Sequence, residues 1–497
     1  MVALALALAT GFASAAAASP LEDPTLGGAV FTGTVHPHAT SIYVNPAALG
    51  QAVRGSHVYL DTSLRLDRYH IDRQVITDPD AGLQPGPSVS SSPITPGGSL
   101  IWYNVGDKIA VAAALSLVVL DKSPGDQDAL GYHTLGDRHR QYVWRRVFLL
   151  SRNWGPSTYL PFPMPTLGAS YRWRRFYFGV GLSLRASSLE LDFLRDTALE
   201  AGREGIESAC DDDGNACGIE NPAAAERYKI SVSTEDLLAA RNLVVSGGLM
   251  WQFRPGWWFG VYYQSPPGFL TSLSSVGTAR ITPAPRTGLD PFTARAEVIY
   301  DLPQTVSAGL RGPAFGSYEM FTTARWQNLS RQRLLDIRLI DPVVGGDSVP
   351  EWFQRYRGFN DVLTVEAGLE ERERAEPGER LRLGARVRLE TPTTSDRAVA
   401  PTQVESLHLG AAVGGELRIS ENPRLVLYAS YGFTWYRPVD IGEGSAFDPR
   451  DRLECADSGF DLDACIPAAE GRAIPTAAAH YGRIRHALRA AIRYDFL

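Results

Sequence analysis

The stretch RLRLGARVRLE, residues 380–390, decides the fold class. Leu381, Leu383, Ala385, Val387 and Leu389 alternate with Arg380, Arg382, Arg386 and Arg388. A period of two marks a β-strand with one apolar and one charged face, because successive side chains point to opposite sides of the backbone. RLVLYASYGFTWY (424–436) repeats the pattern, with Leu425, Leu427, Ala429, Tyr431, Phe433 and Trp435 on one face and Arg424, Tyr428, Ser430 and Thr434 on the other.

Working outward, such segments start near residues 56, 98, 108, 160, 176, 242, 257, 303, 317, 362, 380, 405, 424 and 484, which makes fourteen strands. Short connections fall at 106–108, 173–175, 254–256, 312–316, 376–379 and 421–423. Long ones occupy roughly 67–97, 120–159, 187–241, 266–302, 328–361, 391–404 and 437–483, and VWRRVFLL (143–150) reads as part of a loop. Short turns alternating with long loops predict an outer-membrane barrel rather than a sandwich or propeller.

Three features support lipid on the apolar side. Trp251, Phe253, Trp257 and Phe259 flank a tight turn, as an interfacial aromatic girdle does. The chain ends in RIRHALRAAIRYDFL, with Leu488, Ala490, Ile492, Tyr494 and Phe496 alternating against Arg485, Arg489, Arg493 and Asp495. This resembles a closing barrel strand, although Leu497 follows the aromatic. Glu366 and Glu370 share the polar face of their strand and precede the arginine-bearing face of the next, so cross-strand pairing is expected. The opposite phase would turn arginines to lipid at about 2–4 kcal/mol each near the midplane. The predicted arrangement is apolar outward and charged inward; a large secreted β-protein is the alternative.

Composition adds bounds. The net charge is −7 and no basic block points to nucleic acid. Lys108, Lys122 and Lys229 are the only lysines, so the positive charge is nearly all arginine. MVALALALATGFASAAAASP (1–20) reads as an export leader cleaved near residues 16–18, though it lacks a basic start; a short membrane anchor is the alternative. No later apolar run is long enough for a transmembrane helix. Cys210 with Cys217 and Cys455 with Cys465 form two close pairs, read as local disulfides of an exported chain and not as a zinc pattern.

GGAVFTGTVHPHATSIYVNPAALG, residues 27–50, resembles the N-terminal plug, or hatch, of the FadL/TodX family of outer-membrane transporters for long-chain fatty acids and hydrophobic compounds. WWFGVYYQSPPGF, LPQTVSAGLRGPAFGSYEMFTTARWQNLS and RLRLGARVRLETPTTSDRAVAPTQVESLHLGAAVGGELRI follow in that family's order. The resemblance covers the plug and roughly the C-terminal half. It implies a 14-stranded antiparallel transmembrane β-barrel with the plug inside its lumen, divided as 1–18 leader, 19–54 plug and 55–497 barrel. It also implies the bacterial outer membrane, passive plug-gated uptake, a hydrophobic small molecule and outer-membrane lipid as partners, a monomer, no cofactor and no enzymatic activity.

Asn45, Pro46 and Ala47 are the candidate gating residues: Asn45 to bond its own backbone, Pro46 to stiffen the bend and the alanines to pack closely. His36 and His38 stand where the family usually carries an acidic pair. They are read either as a pH-sensitive or metal-binding element or as ordinary hydrogen-bonded histidines, with no metal assigned. Arg382, Arg386, Arg388, Arg489 and Arg493 are candidate lumenal contacts for a carboxylate head group, or partners of Glu366, Glu370, Glu416 and Asp495. CDDDGNAC (210–217) reads as an acidic surface loop, with a calcium loop as the alternative. No nucleotide or hydrolase motif is present, and Ser406 with His408 is a chance spacing. A diffusion porin for polar solutes and an adhesion or structural barrel are the competing functions.

Overall fold

The computed structural model describes residues 30–75, 84–120 apart from 93, and the later strands with most of their short connections. Residues 1–29, 121–142, 197–224, 394–405 and 443–477 and some shorter stretches lie outside the described residues. The leader, all four cysteines, the CDDDGNAC loop and the turn at 376–379 fall there.

Fourteen antiparallel staves close into a barrel. They are β1 (Gly55–Val75), β2 (Ile94–Val105), β3 (Ile109–Leu120), β4 (Met164–Trp173), β5 (Phe176–Leu184), β6 (Leu243–Arg254) and β7 (Trp257–Gln264). Then follow β8 (Thr305–Pro313), β9 (Tyr318–Gln327), β10 (Val362–Glu371), β11 (Leu381–Glu390), β12 (His408–Glu421), β13 (Arg424–Tyr436) and β14 (Ala479–Phe496). Closure is a long unbroken ladder from Ser56 opposite Phe496 to Arg73 opposite Ala479. A closed ladder leaves no unpaired edge, which is what lets a sheet sit in lipid.

The phase is the one the sequence predicts. Leu381, Leu383 and Val387 of β11 and Leu488, Ile492, Tyr494 and Phe496 of β14 are exposed on the outside. Arg386, Arg485, Arg489, Arg493 and Asp495 are buried within. Glu366 stands directly opposite Arg388 in the β10–β11 ladder.

Five of the long connections, expected to be loops, carry paired strands, and three of them form hairpins of their own. Ser188–Asp196 and Ala225–Ser233 pair with each other, as do Leu273–Thr282 and Phe292–Tyr300, and Leu334–Ile340 and Trp352–Tyr356. Val143–Phe148, read as loop, pairs with Ser188–Asp196. Ala225–Ser233 also pairs with Leu273–Thr282, and Phe292–Tyr300 with Leu334–Ile340, so these hairpins form an outer tier above the staves. Gln84–Ser91 likewise extends the hairpin of β1 and β2.

In that tier the phase inverts. Ile230, Val232, Ile281, Val298, Ile337 and Leu339 are buried on its inward face, and Lys229, Arg280, Arg295 and Arg338 are exposed on its outward face. The inversion occurs across irregular breaks such as Ser265–Phe269, where Gly268 adopts a positive φ of 60°. Apolar outward below and polar outward above is the pattern of a wall that leaves lipid for water.

Candidate functional site

The candidate site is where residues 30–54 meet the inward face of the wall. Two single-turn helices form its centre, α1 (Ser41–Val44) and α2 (Pro46–Leu49). Asn45 separates them with extended backbone and caps α2, its Oδ1 accepting from Ala47 N at 3.2 Å. Its Nδ2 donates to the Thr34 carbonyl at 2.7 Å, so one side chain ties the helix start to the preceding loop. Pro46 occupies the first helical position, where its missing N–H costs nothing and its fixed φ suits the turn.

Opposite lies a pair of glycines. Gly179 of β5 and Gly248 of β6 face each other across the ladder. A Cβ on Gly179 would collide with the Ala47 amide nitrogen, and one on Gly248 with Asn45 Oδ1. The wall is therefore bare where Asn45, Pro46 and Ala47 approach it. Ser170 Oγ donates to the Ala47 carbonyl at 3.1 Å, and the Tyr262 hydroxyl to the Tyr43 carbonyl at 2.9 Å. The glycines were missed in the sequence, although inward Gly179 and Gly181 in FYFGVGLSL are a readable signal of close backbone approach.

The leading part of the segment rests on β10 and β11. Glu370 Oε1 accepts from Phe31 N at 2.9 Å and from Arg386 Nη2 at 3.1 Å, and the same nitrogen donates to the Thr32 carbonyl at 2.8 Å. Phe31 has a positive φ of 64°, unfavourable for a residue with a Cβ, and Glu370 holds it there. The Arg382 guanidinium stands 4.2 Å from the centre of the Phe31 ring.

The two histidines part company. His36 Nε2 lies 3.1 Å from Glu370 Oε2, and its ring meets Phe321 edge-on at 4.5 Å. His38 Nδ1 lies 2.8 Å from Thr40 Oγ1, and its ring meets Tyr59 and Tyr428 edge-on. Burial pushes the His36 imidazole below its ordinary 6.5; Glu370 opposes this, and Arg386 and Arg311 reinforce it. Burial also holds His38 well below that value, helped by Arg493, Arg382, Arg489 and His36. No group of three His, Cys, Asp or Glu placed to hold a metal occurs among the described residues.

All five arginines singled out in the sequence sit beside carboxylates. Arg382 reaches Glu416 at 3.2 Å, and Arg386 reaches Glu370 at 3.1 Å and Glu366 at 3.7 Å. Arg388 pairs with Glu390 and lies 3.8 Å from Glu366. Arg489 reaches Asp61 at 3.1 Å and Arg493 reaches Asp495 at 3.0 Å. The Asp61 partner on β1 was not anticipated, because β1 meets β14 only when the barrel closes. Ser406 Oγ donates to the Arg437 carbonyl at 2.5 Å, and His408 Nε2 lies 3.6 Å from Glu390. The serine hydroxyl is directed away from a nucleophile–base arrangement.

No protein-family model and no curated sequence matches the chain. Solved structures do. A Pseudomonas aeruginosa FadL homologue superposes with a TM-score of 0.63 at 13% identity, covering 95% of this chain and 96% of that one. The Pseudomonas putida toluene transporter TodX gives 0.57 at 11% identity, with 97% and 98% covered. The fold is that of the FadL-type channels. The Ralstonia pickettii toluene transporter TbuX shares it at 0.51 and 13% identity, covering 97% of this chain and all of its own. Near-complete coverage in both directions means that the FadL-type likeness extends to the whole barrel and not to a few staves.

Proposed function

We propose that this protein is a bacterial outer-membrane channel for passive uptake of hydrophobic small molecules, with residues 19–54 as a plug that gates it. The observation that carries the reading is the seat of Asn45, Pro46 and Ala47 on the Gly179–Gly248 pair, because a wall stripped of side chains at that point fits one particular occupant. The FadL-type fold agrees with it, and so does the apolar inward face of the outer tier, which offers an apolar solute a path out of water. The solute is a long-chain fatty acid or a hydrocarbon. The five paired arginines balance charge along the lumen wall, and a carboxylate head group would bind there by exchanging with Glu366 or Glu416.

The test is uptake of labelled toluene, oleate and a polar sugar by vesicles containing wild type, Asn45→Ala or a deletion through residue 50. Toluene or oleate entering faster than into empty vesicles, with sugar excluded by the wild type, supports the channel. Sugar entry through the wild type would instead indicate a porin.

A further inference from the structure

At the tight-turn end of the barrel, three neighbouring turns carry five cations and, within their own sequences, one carboxylate. The residues are Lys108 between β2 and β3, Arg172, Arg174 and Arg175 at the β4–β5 turn, and Arg254 at the β6–β7 turn. All five are exposed. The turns are tied together, Arg172 N donating to the Lys108 carbonyl at 2.7 Å and Gln252 N to the Arg175 carbonyl at 2.9 Å. Asp107 is the one carboxylate in their sequences, and it pairs with Arg54 at 2.7 Å.

Beside this patch, on the outward face, runs a row of aromatic rings. Trp173 stacks with Phe176 at 6.1 Å, Phe176 with Trp251 at 5.9 Å, and Trp251 and Phe253 continue it to Trp257. The Arg174 guanidinium stands 5.5 Å from the centre of the Trp173 ring. Aromatic rows settle at the level of lipid head groups. The cations thus lie in the plane of the phosphates of the leaflet facing the tight turns.

We infer that this flank binds an anionic glycerophospholipid, its phosphate on Arg174, Arg175 and Arg254 and its chains along the aromatic row; Arg172 stands over the inward Tyr177 ring at 5.7 Å and faces the lumen side. An acidic protein would meet the same charges, but the rings would contribute nothing to it. The inference rests on the barrel spanning a membrane and is independent of what the channel carries.

Native mass spectrometry of the detergent-solubilised chain, mixed with equal phosphatidylglycerol and phosphatidylethanolamine, tests it. Wild type is expected to retain phosphatidylglycerol preferentially. Arg174→Gln, Arg175→Gln and Arg254→Gln combined should abolish the preference, since each cation near an anionic lipid is worth roughly fivefold in binding. The corresponding three-lysine variant should keep most of it, and unchanged far-ultraviolet circular dichroism shows that both variants fold. Equal retention of the two lipids by wild type, or a preference that survives the glutamine variant, overturns the inference. So does loss of the preference in inorganic phosphate at matched ionic strength, which would mark a free-phosphate site, or preferential retention of polyglutamate, which would mark a protein-docking surface.

Discussion

At the scale of single residues, the seat on the wall is a matter of missing atoms. Gly248→Ala places a methyl group against Asn45 Oδ1, and relief requires the segment to shift. Overpacking of this kind costs about 1–3 kcal/mol, so residues 30–54 should lose protease protection while the strand content stays that of wild type. Glu370→Ala should be more severe, because it leaves Arg386 beside a lost carboxylate and removes the acceptor of Phe31 N–H. Breaking a buried pair from one side costs about 3–5 kcal/mol, read as a lower denaturant midpoint. The histidines add a pH dependence. Both are shifted down in the seated state, so between the seated value and 6.5 the released segment binds more protons than the seated one. Seating is therefore fully stable above 6.5 and weakens as the pH falls below it. Hydrogen-exchange protection factors in residues 30–54, corrected for the intrinsic pH dependence of exchange, should be lower at pH 5.5 than at 7.5, and a His36→Gln, His38→Gln variant should flatten the difference.

At the scale of the element, the strands of the wall are written in their alternation, because lipid outside and paired charge inside impose the same period on each stave. RLRLGARVRLE and the terminal strand were legible for that reason, and the strand count followed. The outer tier was not legible. Its strands alternate as well, but with the phase inverted and with Pro- and Gly-bearing breaks before them, so a template that expects apolar outward reads them as loop. The Asn45 cap was readable from its own neighbours, as a short-range bond between Asn45 and Ala47 must be. The Gly179–Gly248 pair and the Asp61–Arg489 pair depend on strands far apart in sequence, and register is needed to bring them together. The inversion has a direct test. Val387→Arg, outward in the lower wall, should cost about 2–4 kcal/mol on folding into vesicles. Thr278→Arg, outward in the upper tier beside Arg280 and Arg295, should fold as the wild type does.

At the scale of the whole molecule, a closed wall with an apolar belt, a charge-balanced lumen and an apolar-lined outer tier forms one body around the N-terminal segment. The lumen charges hold that segment at Glu370 and Arg386, and the glycine pair holds it at Asn45 and Ala47, on different staves of the barrel. Two separate anchorages would let one release while the other keeps the segment tethered, as the proposed gate requires. Single-channel conductance in planar bilayers tests this account most directly. The intact chain should show little steady current, and deletion of residues 30–50 should open a large, stable one. Equal conductance from the two proteins would contradict it.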